Sequence, residues 1–274
     1  MKNLIRYTFY ILHLIFIISF FSCSVNKAKT NNSLKKYFDE NKVDGCFTML
    51  DNATGQITVY NMELDTMRFS PASTFKIVNS LIGLQTGRII NDTMMIKWDG
   101  VKRSVETWNK DMGMAEAFKV SSVPYYQEVA RRIGHDTMKL WIDSLGYGNK
   151  NIEGPVDSFW LNNQLKISPD EQLGLVKRLY FDQLPFRKSV QQMVRNVMLQ
   201  EDNTAYKLSY KTGWGFDETK KAIGWVVGWI EENNHVYFFV TLVQAPDATT
   251  DINLVRMNIT KGILKQLGFM AGKK

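Results

Sequence analysis

Metal-binding side chains are scarce in this chain. It has two cysteines and three histidines in 274 residues. Beyond the amino-terminal segment only His135 and His235 remain, far apart and without a cysteine cluster, so a zinc site of ordinary composition is not expected. Disulfides are excluded if Cys23 is modified, because Cys46 is then the only thiol left. Cys46 lies in an apolar, strand-like run and reads as a small core residue. A dense Lys/Arg run is missing too. The net charge of +7 is scattered, which argues against a nucleic-acid partner and leaves a mildly basic surface suited to small anionic ligands. There are no internal repeats and no low-complexity stretches. Hydrophobic residues at 45% and charged residues at 22% fit an ordinary globular protein with a sizeable core.

The amino terminus has a composition of its own. "MKNLIRYTFYILHLIFIISFFSCS" starts basic, then runs apolar from about Phe9 to Phe21 and ends on a small residue and Cys23. The apolar run is short for a spanning helix and reads as a secretory signal. Ser22-Cys23 resembles a bacterial lipoprotein signal, with Cys23 as the lipidated residue; an unlipidated signal or an uncleaved anchor is the alternative. The expected organisation is a signal over 1–22, a polar tether over 23–36 and one domain over 37–274. The body would lie outside the cytoplasm, in the periplasm, and would touch a membrane only through the lipid.

Hydrophobic periodicity places strands near both ends and helices between them. "GCFTMLDNATGQITVYN" reads as two strands around a turn at 52–55. Residues 73–86 carry a broad apolar helical face, with Gly87 as a stop. In "SPDEQLGLVKRLYF", Ser168 is an N-cap, Pro169 the first helical residue and Glu171 the far half of a capping box. Further helices are expected at 125–134 and about 187–199. "KAIGWVVGWIEENNHVYFFVTLVQ" reads as two strands and "INLVRMNITKGILKQLG" as a final helix. The fold class is α+β: an antiparallel sheet drawn from both chain ends, flanked by helices, with an inserted mostly helical region.

One short stretch raises a chemical question. "FSPASTFKIVNSLIGLQTG" sets Ser73 and Lys76 three apart at a helix start, on one face. A serine hydroxyl is a poor nucleophile until a base takes its proton, and a lysine is a base only when burial keeps it neutral. The spacing alone does not decide. Ser24/Lys27 and Ser33/Lys36 repeat it, and about one such pair is expected by chance in a chain this long. Taken alone, the pair reads first as a solvated lysine beside a serine. Other stretches shift that reading. Ser121-Ser122-Val123 precedes one predicted helix, Tyr147-Gly148-Asn149 follows another, and Lys211-Thr212-Gly213 with Trp214 stands just before the first C-terminal strand. A Lys-Thr-Gly strand offers an ammonium, a hydroxyl and a close backbone approach to an anionic ligand.

These motifs, in this order, resemble the penicillin-recognising serine proteins, and among them the class D (OXA-type) β-lactamases. "SPASTFKIVNSLIGLQTG", "KWDG", "WNKDMGMAEAFKVSSVPYYQ", "YGN", "DSFWLNNQLKISPDEQ" and "YKTGWG" carry the resemblance, which spans roughly 40–268. It implies a β-lactamase/transpeptidase-like fold. It also implies that Ser73 is acylated and that Lys76, carboxylated on its amine, is the general base. Trp160 would hydrogen-bond the carbamate, and Val123 and Leu161 would limit water beside it. Ser121 would relay a proton to the leaving nitrogen and Lys211 would orient it. Thr212 and Arg256 would bind the substrate carboxylate, and Gly213 would leave room beside the strand. The backbone N–H groups of Ser73 and Trp214 would form the oxyanion hole. Tyr147 and Asn149 read as structural.

The implied function is hydrolysis of β-lactam antibiotics without metal or organic cofactor, carbon dioxide or bicarbonate serving only to modify Lys76. Partners are β-lactam small molecules, and the chain would be a monomer or homodimer. Two alternatives stay open: a penicillin-binding transpeptidase or carboxypeptidase, and a sensor domain that is acylated without turnover.

Overall fold

The computed structural model describes residues 28–246 and 249–274. The expected signal and Cys23 lie outside the described residues. Among those described, no helix is long and apolar enough to cross a membrane.

Seven strands form one sheet: β1 (Ala28–Thr30), β2 (Asp44–Asp51), β3 (Ile57–Tyr60), β4 (Leu199–Asp202), β5 (Lys207–Phe216), β6 (Ala222–Glu232) and β7 (His235–Ala245). Their order across the sheet is β1-β3-β2-β7-β6-β5-β4. Every pairing is antiparallel except that of β1 with β3, so the sheet is mixed where a purely antiparallel one was expected. The centre falls on β6 and β7, which are apolar almost without interruption because both of their faces are covered. One face carries α1 (Lys35–Glu40) and, near the C-terminus, a long helix over Ile252–Gln266. The other carries the inserted helical region.

That region runs from 62 to 198. It holds α2 (Met62–Thr66), α3 (Lys76–Gln85), α4 (Met114–Lys119), α5 (Val123–Ile133), α6 (His135–Leu145), α7 (Pro169–Tyr180) and α8 (Lys188–Met198). The C-terminal helix is then α9. The capping box of α7 forms as expected: the Glu171 carboxylate accepts from the Ser168 backbone N–H at 3.0 Å. Glu171 also pairs with Arg68, which ties the start of α7 to the segment leading into Ser73.

Two expectations need correction. The tether was expected to reach residue 36, but 28–36 belong to the folded body. Ala28–Thr30 add an edge strand, and Leu34 is fully buried among Phe38, Phe47 and the α9 side chains. A short polar stretch hid one apolar anchor. Second, the chain ends on three long strands, not two. Lys211-Thr212-Gly213 sits in the middle of β5 and not before a strand, and the short β4 pairs with β5 at the sheet edge. "KLSYKTGWGF" was hard to see because its inward positions include Ser209, Lys211 and Gly213 in place of the usual aliphatic residues.

Candidate active site

The serine-lysine pair occupies a tight turn before α3. Ala72–Phe75 form one 3-10 turn, with Ala72 in the left-handed region at φ 46°, and α3 begins at Lys76. The turn is held from several sides. Trp225 of β6 donates its indole N–H to the Ser70 carbonyl at 2.9 Å, and the Ser70 hydroxyl donates to the Trp160 carbonyl at 2.9 Å. Thr74 donates to the Pro71 carbonyl at 2.7 Å and accepts from the Gln172 side chain at 2.8 Å. Packing finishes the clamp: Phe75 stacks on Trp160 and meets Phe159 and Tyr147 edge-on.

Lys76 lies beneath that turn, 1% exposed, with its Nζ 2.7 Å from Ser73 Oγ. No carboxylate is paired with it. Burial alone lowers its pKa from 10.5 to about 7, so the neutral amine is accessible near neutral pH. The surface reading of this pair is thereby excluded. The Tyr126 ring centroid is 5.5 Å from Nζ.

Across from Ser73, the backbone after α4 turns sharply. Ser121 adopts φ 55°, an uncommon conformation for a serine. Its hydroxyl accepts from Lys211 Nζ at 3.0 Å, and the same ammonium donates to the Thr212 carbonyl at 3.0 Å. Lys211 is buried, and burial, followed by the charges of Lys76 and Arg256, holds its pKa well below the usual value. Arg256 reaches in from α9 and donates to the Gly213 carbonyl, while its Nε is buried without a partner. Burial lowers Arg256 as well, to about 10.

Gly213 is required by close approach. A Cβ there would lie 3.0 Å from the Pro71 carbonyl oxygen and 3.0 Å from the Trp225 ring. This contact sets β5 directly against the serine turn. Trp214, the next residue, is half exposed and lies edge-on to Phe216 at 5.4 Å.

Trp160 is fully buried, and its indole N–H has no hydrogen-bond partner among the described residues. Such an orphan is uncommon in a folded protein. Leu161 follows it and packs on the main core, and Val123 opens α5, half buried. Tyr147 and Asn149 have the structural role expected of them. Asn149 donates its side-chain amide to the Gln164 carbonyl at 2.8 Å and accepts from the Lys166 N–H at 3.0 Å, which fixes the loop carrying Trp160.

Ser73, Lys76, Ser121, Lys211, Gly213 and Arg256 are thus linked by the contacts above into one centre. It carries three buried basic side chains, and no described acidic side chain is hydrogen-bonded to any of them. The sequence as a whole is matched elsewhere. The penicillin binding protein transpeptidase domain matches residues 45–265. A probable β-lactamase of Bacillus subtilis, YbxI, is 40% identical over 90% of both chains. The OXA-48 β-lactamase of Klebsiella pneumoniae is 39% identical over 86% of this chain and 88% of its own. The chain belongs to the class D serine β-lactamases. A solved class D enzyme from Sebaldella termitidis has the same fold, with a TM-score of 0.85 at 34% identity, covering 89% of this chain and 99% of its own.

Within this class D chain, Ser70, Trp225 and Gln172 had not been singled out as positioning residues. Trp225 sits in an apolar strand and reads as core. Nothing local shows that its N–H meets Ser70, 155 positions away.

Proposed function

We propose that this protein hydrolyses β-lactams through an acyl-enzyme on Ser73. The observation that carries the reading is the 2.7 Å contact between Ser73 Oγ and a buried Lys76 with no carboxylate partner. Lys76 takes the hydroxyl proton as Ser73 attacks the lactam carbonyl. The C–N bond then breaks, and the Lys211–Ser121 contact offers the proton that the leaving nitrogen needs. The substrate carboxylate is met by Thr212, Lys211 and Arg256, whose charges lack anions of their own. Backbone N–H groups of Ser73 and Trp214 receive the oxyanion.

Carboxylation of Lys76 by carbon dioxide would give it a carboxylate base for the deacylation step. The residues present fit that group: a neutral amine is what reacts with carbon dioxide, and the unpaired Trp160 N–H is a donor for a new oxygen. Val123 and Leu161 would limit water around it. Export with lipidation at Cys23 belongs to the same reading and rests on the amino-terminal sequence.

A second reading has a specific observation behind it. The regulatory protein BlaR1 of Bacillus licheniformis is 31% identical over 76% of this chain, which covers 34% of BlaR1. A sensor of that kind would keep its acyl group. Intact-mass spectrometry after mixing with a penicillin separates the two. The hydrolase forms an adduct on Ser73 that decays within the turnover time, and Ser73→Ala forms none. A stable adduct on the unmodified protein favours the sensor, and no adduct refutes both.

A further inference from the structure

A cavity of ≈ 300 Å³ lies between the 95–112 loop and the first turns of α5. None of Ser73, Lys76, Lys211 or Arg256 lines it; Ser122 comes nearest to the catalytic set in sequence. Its lining includes Trp98, Trp108, Met112 and Tyr125 together with charged residues. The loop is braced in its own right. Trp98 and Trp108 donate their indole N–H groups to the Val101 and Val120 carbonyls, each at 3.0 Å, and Asp111 accepts from the Trp98 N–H at 2.8 Å. The walls are therefore preformed, and an occupant would not have to order them.

One positive charge in the lining, Lys97, is left without a partner among the described residues. The two acids of the lining are already engaged: Asp99 by Arg103, and Glu128 by Arg131 and Arg132. Lys110 pairs with Glu116. Lys97 has no ion-pair partner among the described residues; Arg132 pairs with Glu128, and Arg131 pairs with both Glu128 and Asp157. The cavity thus offers aromatic walls, a volume at the low end of small-molecule sites, and one unpaired positive charge, Lys97, beside the paired Arg132.

We propose that this cavity is a second, non-catalytic binding site for a small aromatic carboxylate. One or two fused rings would lie among Trp98, Trp108 and Tyr125, and the carboxylate would face Lys97 and Arg132. The proposal does not rest on the reaction assigned to Ser73 and can fail without it.

The test is calorimetric titration of the full chain with naphthalene-2-carboxylate. One saturable site is expected. Lys97→Glu/Arg132→Glu should weaken it by about tenfold or more, and Lys97→Met alone by less, with melting curves confirming that both variants fold. Lys188→Glu, remote on α8, should leave it unchanged, and neutral naphthalene-2-methanol should bind far more weakly. No saturation at millimolar probe would overturn the proposal. So would equal affinity in the double variant, which would place the probe in the catalytic cleft.

Discussion

Lys76 concentrates the proposed chemistry in one titration. Because burial sets its pKa near 7, kcat/KM should rise from pH 5.5 to about 7 and level off above it. A profile flat down to pH 5 would contradict the base assignment. The same burial has a stability consequence. Between about pH 7 and 10.5 the unfolded chain holds a proton at this position that the folded chain has released, so stability should rise with pH across that window. Lys76→Met should reduce that slope, to which the buried Lys211 also contributes, and abolish turnover. At pH 7 it should also gain about 1–3 kcal/mol, since an apolar side chain has no such desolvation cost. Thermal melts at several pH values check both points. Trp160→Phe isolates the orphan N–H while keeping the stack on Phe75. It should slow deacylation about 100-fold and acylation far less, read by pre-steady-state kinetics. Equal loss in both steps would remove Trp160 from its assigned place.

Elements explain why those residues meet. β5 lies against the serine turn because Gly213 has no Cβ, and the loop carrying Trp160 is pinned by Tyr147-Gly148-Asn149. Gly148 has φ 51°, and a Cβ there would fall 1.8 Å from the Lys166 carbonyl oxygen. Gly148→Ala should therefore cost about 2–4 kcal/mol, measured by urea unfolding, although this residue touches no reacting atom. A cost under 0.5 kcal/mol would mean that the loop is held elsewhere. At this scale much was legible in advance. The capped α7, the α3 stripe and the hairpins β2–β3 and β6–β7 all carry strong local patterns. β5 was not legible as a strand, because polar and glycine residues occupy its inward positions to serve the site. The Ser70–Trp225 clamp was not legible either, because a contact across 155 positions leaves no local pattern. Ser73, Lys76 and Lys211 stood out because each belongs to a compact motif, whereas Arg256 and Trp160, isolated in sequence, could be assigned only through the family resemblance.

The whole molecule is a sheet covered on both faces, with the catalytic centre where the helical region meets β5. Its amino-terminal boundary is set by burial and not by composition. Leu34 is fully buried, so Leu34→Ala should cost about 2–4 kcal/mol, and starting the chain at residue 37 should destabilise it further by removing β1 as well. Starting at residue 28 should leave Tm unchanged; a fall of several degrees would show that earlier residues pack on the body. Three buried basic groups in one centre, with no acid hydrogen-bonded to them, suit an anionic ligand, and that is the feature the proposed activity uses. The most direct test is turnover of a chromogenic cephalosporin by residues 28–274, with and without added bicarbonate, beside Ser73→Ala. Sustained hydrolysis that needs Ser73 and rises with bicarbonate is the result predicted here. A single stoichiometric burst, indifferent to bicarbonate, would contradict it and leave a β-lactam receptor in its place.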